Sequence, residues 1–496
     1  MKFTNSISAS FFKKTTDVKS DSIKGGIWSL IYQIVNFILQ IISISILGRI
    51  LIPVDFGLIS IITTFIGFAL VFSEVGFSIA IIQLDDLDST LFNDVFLINL
   101  LIGFLLFLLF CLVTPLIYFF YEDIRLLYIG LAYSTIFIVT SYSSPFIALL
   151  KRTMNFKKIM ILQFISTLLG ICFGLVFAFF NFGYWTLVLI PISTGIILNI
   201  LLFFHFKWIP IRYSKDVRIK KIINIGKHMT IFEFVNYFSR NLDNILIGKF
   251  FGPYNLGIYS KAYQLLLLPI TQIRTPLTNI ALPALSQLKN DFFNFRKYYF
   301  KFLSIISLLC VFFVFLFYIN SYEIICIVLG TNWIQTADIF SILCFAAMLQ
   351  PLYGTCGLVL LSTERNKIYS KWGFYNSLII ITSFLIGINY NLEYFSIIYV
   401  VGNVISYVFA PFYTLKDSPI GIQEYFKKSI TILFFFMLVG ILIKYYITGI
   451  ENVYLSLISK TIIYFVFTVL FVIFFFEEKK IFSEILKFFK NGKINF

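Results

Sequence analysis

Fourteen apolar runs separated by short polar intervals make up nearly the whole chain: residues 25–47, 56–83, 93–119, 126–149, 159–180, 185–206, 222–248, 256–285, 298–319, 334–361, 372–388, 394–415, 429–448 and 453–476. Each is long enough, as a helix, to cross a hydrocarbon core of about 30 Å. The longest polar interval between runs, "KWIPIRYSKDVRIKK" at 207–221, is too short to house a soluble domain. The pattern predicts an all-α polytopic membrane protein of about fourteen transmembrane helices.

One segment occurs twice. "ILGRILIPVDFGLIS" at 46–60 aligns with "LIGKFFGPYNLGIYS" at 246–260, so that Gly48, Pro53, Gly57 and Ser60 meet Gly248, Pro253, Gly257 and Ser260. Six spans separate the copies, an even number, so both halves cross the membrane in the same direction and form parallel repeats. The expected organisation is a cytoplasmic tail at 1–23, an N-lobe of six spans at 24–206, the linker at 207–221, a C-lobe of six spans at 222–415, two further spans within 416–476, and a basic amphipathic tail at 477–496. That tail is expected to lie on the inner surface.

Polar residues interrupt the apolar runs with helical spacing. In span one, Ser29, Gln33, Asn36, Gln40 and Ser43 share a face, and in span seven Met229, Glu233, Asn236, Arg240 and Asp243 occupy the equivalent positions. Span two presents Ser60, Thr64, Gly67, Val71, Glu74 and Ser78; span eight presents Ser260, Gln264, Leu267, Thr271, Arg274 and Thr278. Single Ser, Thr or Asn residues in such positions also serve helix–helix hydrogen bonding. A charge near the bilayer centre costs roughly 2.5–3.5 kcal/mol even on the lenient insertion scale. Glu74, Glu233, Arg240, Asp243 and Arg274 are therefore candidates for a water-filled cavity, with buried pairing such as Arg240 to Asp243 as the structural alternative. Arg274 and Glu74, equivalents under the repeat with opposite charge, are expected to pair near the inner side, or Arg274 with Glu233. Pro269, Pro276 and Pro283 in span eight suit either a moving bend or a static kink.

Composition agrees with the pattern: 59% of residues are hydrophobic and only 13% charged, against about a quarter charged in soluble domains. The net charge of +15 is a topology signal. With the N-terminus inside, 31 of the 39 Lys and Arg fall in the tails and inner loops, five (Arg49, Arg125, Lys249, Lys444, Lys460) on the outer side, and three within spans. Both termini are expected in the cytoplasm. Basic residues scattered in this way form no nucleic-acid face. The six cysteines show neither CxxC nor a His/Cys cluster, and no metal or cofactor is expected. The phosphate-loop, serine-hydrolase and zinc-protease motifs are absent, and no large loop offers room for catalysis, so the chain reads as no enzyme.

The segments 47–83 ("LGRILIPVDFGLISIITTFIGFALVFSEVGFSIAIIQ") and 240–288 resemble the Wzx-type polysaccharide exporters, of the colanic acid and teichuronic acid branch, within the multidrug/oligosaccharidyl-lipid/polysaccharide flippase superfamily. The resemblance is strong in those segments and weak after about residue 416. It implies two lobes around a cavity lined by helices one, two, seven and eight, and alternating access. It also implies a cargo, an oligosaccharide repeat unit on polyprenyl pyrophosphate flipped from the inner to the outer leaflet of the bacterial cytoplasmic membrane for lipopolysaccharide, O-antigen or exopolysaccharide synthesis. A polysaccharide polymerase and export machinery are the implied partners, beside the phospholipid membrane. The candidate cargo-binding residues are Gln33, Asn36, Gln40, Glu74, Glu233, Asn236, Arg240, Asp243, Gln264 and Arg274. A multidrug or small-molecule antiporter of the same superfamily is the main alternative. A membrane polymerase would need a large outer loop, and the 84–93 loop lacks the basic Gly-rich signature of major-facilitator transporters.

Overall fold

The computed structural model describes residues 18–73, 78, 81–82, 84, 86–210, 213–214, 237–238, 240–447 and 450–475. Among the described residues the regular elements are helices. The first group comprises α1 (Val18–Ile50), α2 (Pro53–Ser73), α3 (Ser89–Tyr121), α4 (Ile124–Tyr133), α5 (Ile136–Arg152), α6 (Phe156–Phe179), α7 (Tyr184–Phe206), and α8 (240–250). The second comprises α9 (Gly252–Gln287), α10 (Phe292–Ile319), α11 (Ser321–Val328), α12 (Ile334–Ser362), α13 (Asn366–Gly387), α14 (Leu392–Thr414), α15 (Ile422–Tyr446) and α16 (Val453–Phe475).

Helices start where short polar side chains replace the missing backbone partner. Asp88 accepts from Leu91 N at 2.8 Å, Asp291 from Asn294 N at 3.1 Å and Asn391 from Tyr394 N at 2.9 Å. The acidic loop before α3 thus supplies a helix cap at Asp88, a local role that its sequence alone leaves open.

Eleven helical segments among the described residues are long and apolar enough to span a membrane. The count of fourteen is not reached on those criteria. Span seven lies largely outside the described residues, and α9 and α13 have the length of a span but carry more polar residues than the criterion allows. Span four is also broken, since α4 ends at Tyr133 and α5 restarts at Ile136.

The chain divides into two compact units, residues 1–260 and 261–496. The division falls inside α9 and not at the 207–221 linker. In the first, α3 packs on α5, α6 on α7 and α1 on α6. In the second, α10 packs on α12 and α13 on α14, the same pairings one repeat later. The fourth span opens with a short helix in both, α4 and α11. Two left-handed turn residues recur at a fixed separation of 210: Met154 with Glu364 (φ 53° and 59°) and Lys207 with Asp417 (φ 48° and 59°). The repeat therefore extends far beyond the segments that announce it in the sequence.

Within the first unit, aromatic rings form the core at the end where α3 begins: Phe92, Phe96, Phe146 and Trp208 are all at most 2% exposed and stack edge to face around the Trp208 indole. Trp208 comes from the polar linker, and Ser214 anchors the same stretch by donating from its N and Oγ to the buried Asp94 carboxylate at 2.8 and 2.7 Å. Small residues bring helices into close contact; a Cβ at Gly170 would lie 2.0 Å from Thr194 Oγ1 on α7. The faces turned away from these contacts are apolar and exposed, as lipid requires.

Candidate functional site

The repeated segment meets its own copy. An added Cβ at Gly57 would lie 1.8 Å from the Pro253 carbonyl oxygen, and one at Gly257 would lie 1.9 Å from the Pro53 carbonyl oxygen. Ser60 Oγ donates to Ser260 Oγ at 3.0 Å. Each contact is the image of another under exchange of the repeats, so a local two-fold axis passes between Ser60 and Ser260. Only glycine permits this, because backbone atoms occupy the space that any side chain would need.

The start of α9 and the end of α8 sit against α2 and α3. Tyr121 Oη donates to Ile245 O at 3.1 Å, Gly248 faces Ile61 and Tyr121, and Lys249 pairs with Glu122 at 3.2 Å. Gly67, on the polar face of α2, leaves room for Tyr237, whose hydroxyl would stand 1.8 Å from a Cβ there. The α2 face carrying Ser60 and Gly67 is thus turned toward residues 237–260, and at Ser60 the contact is the helix–helix hydrogen bond that was the alternative to a cavity.

The other candidates separate into groups. Gln33, Asn36 and Gln40 are half-buried on α1, while Ile27, Ile31, Ile34, Ile38 and Ile42 form its exposed face. Arg240 is exposed. Asp243 is not its partner: its carboxylate is 4% exposed and accepts from Tyr259 Oη at 3.0 Å and from Asn244 N at 2.8 Å. The buried pairing of Arg240 with Asp243, the structural alternative, is not found, because Asp243 is enclosed while Arg240 is exposed one turn away. Gln264 accepts from Lys261 Nζ at 2.6 Å. The Arg274 guanidinium rests against α12, where a Cβ at Gly354 would lie 2.6 Å from Nη2. Glu74, Glu233 and Asn236 lie outside the described residues, and with them the two expected partners of Arg274.

Lys261 escaped selection by sequence reasoning. It directly follows Ser260, at the position where the first copy carries apolar Ile61. An apolar-to-basic exchange between aligned repeats inside a span is a signal that does not depend on helical spacing, and such a residue is costly unless it has a partner or a function.

Comparison with known proteins places this arrangement. Residues 46–338, more than half of the chain, match the family described as "Polysaccharide biosynthesis protein". The teichuronic acid biosynthesis protein TuaB of Bacillus subtilis (strain 168) is 24% identical over 355 residues, which cover 71% of this chain and 73% of that protein. The lipopolysaccharide biosynthesis protein WzxC of Escherichia coli (strain K12) is 22% identical over 377 residues, covering 75% and 76%. Among solved structures, the lipid II flippase MurJ in an inward closed conformation superposes with a TM-score of 0.67 at 16% identity, over 90% of this chain and 98% of that one. An inward-facing multidrug resistance transporter of the MATE family gives 0.59 at 14% identity, over 79% and 96%. The fold is the one these transporters share, and the chain belongs to the polysaccharide biosynthesis protein family.

Proposed function

We propose that this integral membrane protein is a flippase that carries polyprenyl-pyrophosphate-linked oligosaccharide repeat units from the inner to the outer leaflet of the cytoplasmic membrane, supplying surface polysaccharide synthesis rather than performing a chemical step itself. The observation that carries this reading is the reciprocal contact at Gly57, Ser60, Gly257 and Ser260. A carrier that alternates between two openings needs a closure that excludes the cargo in one state and parts in the other. The backbone and hydroxyl contacts lie beside the Tyr121–Ile245, Gly67–Tyr237 and Lys249–Glu122 contacts, and in this reading they part together when the closure opens. Such a step needs only a small free-energy bias between the two states.

Support for the cargo comes from the polysaccharide pathways for which the relatives are named and from the cations along α8 and α9. Arg240 and Arg274 offer paired donors that match phosphate oxygens, and Lys261 adds a compact charge. Arg240→Gln is expected to lower polymer export at least ~10-fold at equal protein level; unchanged export removes Arg240 from the cargo path. Deleting the gene should abolish surface polysaccharide while lipid-linked repeat units accumulate on the inner leaflet. Normal export in the deletion strain, or drug resistance on expression, would instead favour the antiporter.

The termini are assigned to the cytoplasm by the Lys/Arg distribution. Alkaline-phosphatase fusions after Gly183 or Asn391 are expected to be active and fusions after Lys215 or Lys289 inactive. The reverse pattern overturns the topology.

A further inference from the structure

We propose that the inner ends of α10 and α15 form a docking platform for an anionic phospholipid of the inner leaflet. The two helices pack side by side, and both begin on the side assigned above to the cytoplasm, an assignment on which this inference rests. Their second turns carry Arg296 and Lys297 on α10 and Lys427 and Lys428 on α15. Arg296 donates through Nε to Glu424 at 3.0 Å, and Arg296 and Lys428 lie over the Phe300 ring at 6.0 and 5.3 Å from its centroid. Lys427 is exposed, and no side-chain partner is seen for it among the described residues.

Two further observations identify the occupant as a lipid. Phe292 and Phe293, in the first turn of α10, are 67% and 76% exposed, an apolar pair one turn before the cations. From Lys427, the exposed face of α15 continues through Ile430, Phe434, Leu438, Ile441 and Tyr445. That spacing of three and four residues keeps them on one side of the helix across the bilayer. An apolar track that ends in a cation cluster matches an acyl chain capped by a phosphate.

Topology alone does not account for the cluster. The repeat equivalent of α10 is α3, whose inner end carries Asp86, Asp88 and Asp94, and no Lys or Arg occurs between Arg49 and Arg125. A rule that only orients loops treats the two repeats alike, whereas here one inner end is acidic and the other basic. Juxtamembrane basic clusters attract anionic headgroups through the surface potential, within about a Debye length.

The test is thermal stabilisation and native mass spectrometry of the purified full chain with phosphatidylglycerol or phosphatidylcholine. Phosphatidylglycerol is expected to bind and stabilise, and phosphatidylcholine is not. The combined variant Arg296→Gln, Lys297→Gln, Lys427→Gln, Lys428→Gln should lose at least ~10-fold in phosphatidylglycerol affinity. A control that removes inner charge from the other repeat, Lys151→Gln, Lys157→Gln, Lys158→Gln, should keep it. Unchanged affinity in the first variant, or equal loss in the control, overturns the proposal. Loss of undecaprenyl diphosphate binding with phosphatidylglycerol binding intact assigns the platform to cargo and overturns it as well. If the combined variant does not fold, Lys427→Gln alone, at an exposed position, should still weaken binding several-fold; no change there counts against the platform. Because binding is read without transport, failure here leaves the flippase reading standing, and an export defect leaves the platform standing.

Discussion

Replacing Gly57 or Gly257 with valine is expected to abolish polymer export without loss of the folded protein. The added side chain has nowhere to go, since the opposing atom is a main-chain carbonyl and not a flexible side chain. Overpacking of this kind costs about 1–3 kcal/mol or more. It acts only on the state in which the two helix starts touch, so it shifts the balance between states by roughly 5- to 150-fold. The direct measure is disulfide formation between Ser60→Cys and Ser260→Cys, whose parent hydroxyls lie 3.0 Å apart, within the reach of a disulfide after small adjustment. The pair should crosslink readily in the otherwise unaltered protein and block export until reduced. Adding Gly57→Val should lower the crosslinking yield. Equal yield with and without valine would mean that the contact is not the one that opens.

The second large effect is expected at the two last helices, which have no counterpart in the repeat. Lys460 of α16 and Glu323 of α11 form an ion pair with side chains 12% and 4% exposed, and Ser456 donates to the same carboxylate oxygen at 2.6 Å. Lys444 of α15 donates to Ser321 at 3.2 Å and lies 4.1 Å over the Tyr318 ring. Glu323→Ala leaves Lys460 buried without its counter-ion, at an expected cost of about 3–5 kcal/mol. It should show as a lower unfolding temperature and as early protease cleavage between α14 and α15. Replacing both partners with methionine removes the charge mismatch and should restore most of the stability. If Glu323→Ala unfolds at the parent temperature, these contacts do not hold the last two helices in place.

Much of this architecture could be read from the sequence, and the reason is the solvent. In lipid the backbone must satisfy its own hydrogen bonds, which leaves helices as the form for each apolar run. Length and hydropathy then locate the spans, and the Gly/Pro punctuation at 46–60 and 246–260 exposes the parallel repeat. Helical spacing also placed Ser60, Gly67 and Ser260 on faces that turn toward residues 237–260 or toward α2.

Tertiary structure decided the partners. Spacing assigns Arg240 and Asp243 to one face, yet Asp243 is enclosed beside Tyr259 while Arg240 is exposed, because a face spans a wide arc and neighbouring helices cover only part of it. Arg274 lies against Gly354, eighty residues away in sequence, where no local pattern points. Hydropathy undercounts α9 and α13, because Lys261, Gln264 and Arg274 in the one and Lys367, Lys371 and Asn376 in the other lower the mean below that of the neighbouring spans. The sequence by itself determined the helices, their number to within a few and their duplication, all properties of one segment in a slab of hydrocarbon. That the two copies touch at Gly57 and Gly257, and that Lys460 finds Glu323, was decided only when the helices packed, because these contacts depend on distances between segments that no single helix encodes.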